Sequence, residues 1–142
     1  MREKHCVSYE VLLYIGSKQG YNGPSFTEED LIREISLFQD VYPDALPVRI
    51  SSCTYIAGSK YRENGHEISI IMYPNHLRSR DEINKYANAL GRHLMGTFKQ
   101  NRITMRRVWG ETDVNAPGNW GTTMFESEEA EVSRSIQNFN QR

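Results

Sequence analysis

TYIAGSKYRENGHEISIIMY, residues 54–73, is the stretch whose reading decides the fold. Its right-hand end is apolar on nearly every residue from Ile68, as a central strand is, and its left-hand end completes an alternating run that starts at Val48. Between them stands Asn64-Gly65, the strongest short-range signal for a hairpin turn, because both residues tolerate positive φ. The stretch predicts two adjacent antiparallel strands, Val48 to about Ala57 and His66 to Tyr73. Working outward, Val7, Tyr9, Val11, Leu13 and Ile15 alternate with Ser8, Glu10, Leu12 and Tyr14, which predicts a half-buried first strand. Thr27 is placed to cap a helix that carries acidic residues in its first turn and Leu31, Ile35 and Phe38 on one face, ending near Asp40, with Phe26 set to staple onto Leu31. Ser79 and Glu82 make a second capping box ahead of Ile83, Tyr86, Leu90, Leu94 and Phe98, and Arg102 to Trp109 closes the series as a strand. The order is β-α-β-β-α-β. It predicts an α+β, ferredoxin-like domain whose antiparallel sheet has both helices on one face.

At 142 residues the chain is long enough for one core. Residues 1–110 are assigned to the ferredoxin-like domain and 111–142 to a C-terminal loop with a short amphipathic helix on Val132, Ile136 and Phe139. Seventeen Lys and Arg against eighteen Asp and Glu leave a net charge of −1, which argues against a nucleic-acid partner held by charge alone. Cys6 and Cys53 make no disulfide framework, none of the four histidines has metal-ligand spacing, and no apolar run approaches a membrane span. A cytoplasmic protein, in the host cytoplasm if phage-encoded, is expected, with no membrane partner. The chain has no Walker loop, dinucleotide-binding glycine fingerprint, zinc-peptidase helix or serine elbow, and neither a cofactor nor enzymatic activity is expected.

The chemistry concentrates in QNRITMRRVWGETD, residues 100–113. On a strand, Arg102 and Arg106 share one side while Arg107 takes the other with Trp109. Arginine's planar fork suits phosphate and carboxylate, and tryptophan suits a purine. The same pattern also fits an edge strand whose cations discourage pairing with another sheet. Tyr61 and Arg62 repeat the pairing of aromatic and cation, and Asp113 is of the kind that accepts from a ribose. The sheet face away from the helices should carry Glu10, Leu12, Tyr14, Arg49, Tyr55, Ile71, Tyr73, Arg102 and Arg106. That face is too apolar for a wholly solvated surface, and it points to a homo-oligomer.

YEVLLYIG, the strand ending in TYIAGSKYRENG and the later QNRITMRRV, taken in this order of elements, resemble the phage Thoeris anti-defence sponges. That family was first described as sequestering a cyclic ADP-ribose signal. The resemblance covers roughly residues 7–108 and implies a small oligomer that holds a signalling nucleotide between subunits without cleaving it. Sequestration of a cyclic nucleotide is therefore the function expected, with Arg102, Arg106, Arg107, Trp109, Asp113, Tyr61 and Arg62 as ligand-binding residues. Two other readings stand beside it: a single-stranded nucleic-acid module using Tyr14, Tyr55 and Tyr73, and a small enzyme of the dimeric α+β barrel type.

Overall fold

A computed structural model describes residues 2–6, 8–19, 23–75, 77–109 and 121–128. Side chains sort by parity along every strand of it. Val11, Leu13 and Ile15 of β1 (Tyr9–Gly16) are inaccessible, as are Ile68 and Ile70 of β3 (Tyr61–Ile71) and Ile103 and Met105 of β4 (Arg102–Trp109). These positions face α1 (Glu28–Val41) and α2 (Arg80–Thr97), which contribute Leu31, Ile35 and Phe38, and Ile83, Tyr86, Leu90 and Leu94. Burying this apolar set is the main force that closes the two layers.

Both helices begin where their caps require. Thr27 Oγ1 accepts from the Asp30 amide while the Asp30 carboxylate accepts from the Thr27 amide, and Ser79 and Glu82 exchange the same pair of bonds. Phe26 does more than staple its own helix. Its ring stacks 4.2 Å from that of Phe98, the C-cap of α2, and 6.0 Å from that of His66 on β3, so the entry to α1 is pinned to the far end of the other helix.

The sheet order is β2-β3-β1-β4-β5, antiparallel throughout, with β2 spanning Arg49–Ala57 and β5 spanning Gly121–Glu126. Its first four strands in space have the ferredoxin-like arrangement that the order of elements predicts. Two features differ from the sequence reading. The hairpin turns at Gly58-Ser59-Lys60, where Gly58 takes φ 73°, and Asn64 and Gly65 lie inside β3. β3 therefore starts at Tyr61, five residues before His66. Since β1 ends at Gly16, opposite Gly65, the pairs from Thr54–Asn64 to Ala57–Tyr61 form a two-stranded arm beyond the body of the sheet.

The second difference is β5. Within the 111–142 extension, Gly121–Glu126 pair along β4 as a fifth strand, where a loop is expected from GETDVNAPGNWGTT. Phe125 anchors it against the core, with the Arg92 guanidinium 5.9 Å from the ring centroid. The amphipathic segment on Val132, Ile136 and Phe139 lies outside the described residues. No described helix is long and apolar enough to cross a membrane.

Candidate functional site

A cleft of about 780 Å³ opens on the sheet face away from the helices, at the end where β1 finishes and β3 and β4 begin. Four segments build it. β1 and the turn after it supply Tyr14, Gly16 and Lys18; the arm supplies Tyr55, Tyr61, Arg62, Glu63 and Asn64; the link from α2 to β4 supplies Gln100 and Asn101; and β4 supplies Arg102 and Thr104. Register explains the grouping. Tyr14 lies across from Thr104 on one side and Glu67 on the other, and Tyr55 lies across from Glu63.

Glu63 is the acidic centre of the cleft. The Tyr61 hydroxyl donates a short hydrogen bond to its Oε2, while its Oε1 lies over Gly16 so closely that a Cβ there would overlap it. Holding that bond to an anion raises the Tyr61 pKa, with burial a lesser cause. The base of the cleft is tied together by Gln100, whose Nε2 donates to the carbonyls of Lys18 at 2.7 Å and Phe98 at 3.2 Å. Beside it Asn101 is buried; its Oδ1 accepts from Ser127 Oγ at 3.0 Å and its carbonyl from the Ser127 amide at 2.8 Å, which links the end of β5 to the cleft floor.

Tyr55 forms the wall opposite Tyr14. Burial raises its pKa first, and the neighbouring Cys53, Glu67 and Tyr14 raise it further, so the phenol stays protonated. Its hydroxyl reaches toward the His66 carbonyl at 3.5 Å. The cleft thus combines three tyrosines and a fixed carboxylate with two exposed arginines among its lining, Arg102 on the face of Tyr14 and Thr104, and Arg62 between Tyr61 and Glu63 on the arm.

Of the residues expected from the sequence to bind the ligand, Tyr61, Arg62 and Arg102 line this cleft. Arg106 is on the same face but opposite Leu12, farther along the strand and outside the lining. Arg107 lies on the helix side, where its charge acts on Tyr9. The backbone of Trp109 pairs with that of Tyr9, and its side chain, like the whole of Asp113, is outside what the structure describes. Glu63, Gln100 and Gly16 lie within the quoted stretches without being singled out there as ligand-binding residues, and Tyr55 and Tyr14 figure only on the open face and in the nucleic-acid alternative. Among the described residues there is no cluster of three His, Cys, Asp or Glu side chains that could hold a metal ion.

The class that this topology defines is the ferredoxin-like α+β fold. No family model matches the chain, and no curated protein does. Two solved structures are similar to it, both of a phage SAM lyase. The apo form has a TM-score of 0.62 and the complex with S-methyl-5′-thioadenosine one of 0.59; each is 20% identical and covers 90% of this chain and 96% of its own. At that identity the likeness carries the fold. It also overturns the functional expectation: the neighbours are structures of an enzyme, so neither a non-catalytic cyclic ADP-ribose sponge nor the absence of enzymatic activity is upheld. The chain has no established catalytic motif, and its cleft is made of tyrosines and a carboxylate brought together by strand register, which no local stretch of sequence displays.

Proposed function

We propose that the protein is a lyase acting on S-adenosylmethionine and releasing S-methyl-5′-thioadenosine. The observation that carries this reading is Glu63, a carboxylate fixed over Gly16 by Tyr61 in a cleft walled by Tyr14 and Tyr55. The substrate is a cation at sulfur, an anion at its carboxylate and aromatic at its base. A sulfonium between the Glu63 carboxylate and the phenol faces of Tyr14 and Tyr61 is held by charge and by cation–π attraction. Arg62 and Arg102 suit the carboxylate end. That both solved neighbours are a SAM lyase, one with the thioadenosine bound, supports the same ligand class.

The chemistry asks little of the protein. When the bond from sulfur to the methionyl γ-carbon breaks, both electrons pass to sulfur, which leaves as a neutral thioether. A lyase adds no water, so the pair that replaces it at the γ-carbon comes from the fragment's own carboxylate oxygen, closing a five-membered lactone without proton transfer. The cleft's contribution is to hold the chain in the folded-back geometry and to exclude water, effects of orientation that lower the barrier substantially. A homo-oligomer belongs to this reading as well, because the open face leaves the cleft uncovered on one side in a single chain.

The test is to incubate purified protein with S-adenosylmethionine and follow the mixture by chromatography. Thioadenosine should appear as the sulfonium disappears, and Glu63→Gln should lower kcat/KM by about 10- to 100-fold, the worth of a charged hydrogen-bonding contact. A sulfonium recovered intact after long incubation would overturn the reading.

A further inference from the structure

On the open face, Cys53, Gly65 and Gly16 stand side by side on β2, β3 and β1. The row is a bare strip across three strands, since two of its members have no side chain and the third a short one. Tyr55 lies down in it. A Cβ at Gly65 would overlap the Cε2 edge of its ring and come within 2.6 Å of the Ile15 carbonyl oxygen, while the hydroxyl points at the His66 carbonyl on the next residue of β3. The Cδ2–Cε2 edge of the phenol thereby fills the space over Gly65, and the residue lines the cleft. A ring seated in this way before any ligand arrives has less freedom to lose on binding.

We propose that the ring of Tyr55, held over Gly65, is the stacking platform for the substrate's purine ring. The inference rests on the reading of the cleft as an S-adenosylmethionine site and adds the residue that selects the base. Stacking on an aromatic ring discriminates a nucleoside sulfonium from a simple sulfonium, because only the former brings a π-face. Glu63, over Gly16 in the same strip, then lies one strand away from the base, on the side where the sulfur follows the ribose.

Because a Cβ at Gly65 would also press on the β1 backbone, Tyr55 is the residue to change. Titration calorimetry with S-methyl-5′-thioadenosine should show binding by Tyr55→Phe within about two-fold of wild type, and roughly 10- to 100-fold weaker binding by Tyr55→Leu, which keeps bulk but has no ring. In turnover, Tyr55→Leu should raise KM for S-adenosylmethionine with kcat little changed. Inhibition by S-methylmethionine, a sulfonium without a base, should be the same in both. Equal thioadenosine binding by wild type and Tyr55→Leu would overturn the platform and leave the lyase reading intact. Loss of both ligands in Tyr55→Leu would overturn it too, showing a merely structural tyrosine. If wild type neither binds thioadenosine nor turns over the sulfonium, the lyase reading itself fails and the platform with it.

Discussion

Gly65 shows how a residue can be conspicuous in sequence for one reason and used in structure for another. Asn64-Gly65 reads as a turn because glycine permits positive φ, but permission is not a requirement, and the chain turns at Gly58 instead. What the fold takes from Gly65 is the missing side chain, into whose space Tyr55 lies. Its neighbour His66 is equally opaque from sequence. It is 7% exposed and packed on Phe26, and burial holds its pKa below the ordinary value of about 6.5, an effect that the Glu28 carboxylate opposes more weakly. As pH falls below that value, the unfolded chain takes up a proton that the folded chain resists, so stability drops until the folded imidazole titrates as well. One such group can contribute at most about 1.4 kcal/mol per pH unit. Thermal unfolding measured from pH 7.5 to 5.5 should therefore show a fall in Tm for wild type that is shallower in His66→Phe. Parallel profiles would assign the pH dependence to other groups.

At the scale of elements, the two helices were legible because their signals are local: a hydroxyl at the cap, a carboxylate three residues on, apolar residues every third or fourth position. β5 was not legible. Its six residues include only Phe125 as an apolar anchor in the core, and the strand exists because β4 offers an edge, which is information from elsewhere in the chain. The same holds for the site. The arginines announce themselves by composition, yet Arg102 alone of the three lines the cleft, while Glu63 and Gln100 matter through cross-strand and long-range placement that no local pattern encodes. The arm of β2 and β3 beyond Gly16 has its own consequence. Two strands without a third are marginal by themselves. Backbone amides from Thr54 to Asn64 should exchange with deuterium well before those of Val11, Leu13 and Ile68, and thioadenosine should slow them because Tyr55, Tyr61 and Glu63 are cleft residues. Exchange as slow in the free arm as in β1 would show that the arm is held by contacts beyond those of one chain.

For the whole molecule, the layer arrangement leaves the helices on one side and Tyr14, Tyr55, Ile71 and Tyr73 partly covered on the other. Leu12 is already 7% exposed on that open face, shielded by its neighbours, so the face is apolar in patches rather than throughout. The expected result of light scattering is a mass above the 16.5 kDa of one chain; a monomer at micromolar concentration would require the single-chain cleft to work as it stands. The central position of β1 also sets the order in which this molecule can assemble. Of the sheet's five described strands β1 is made first, but both of its sheet partners come later, β3 after a helix and a strand and β4 after two helices and two strands. Its apolar face has no local mate to cover it, in contrast to β2 and β3, which meet across a tight turn. Closing the intervening chain carries an entropic cost that only non-local contacts repay, which slows folding and leaves the sheet's middle strand exposed to wrong partners meanwhile. The strand on which the cleft, the core and both neighbours depend is therefore the one that the growing chain must keep waiting longest.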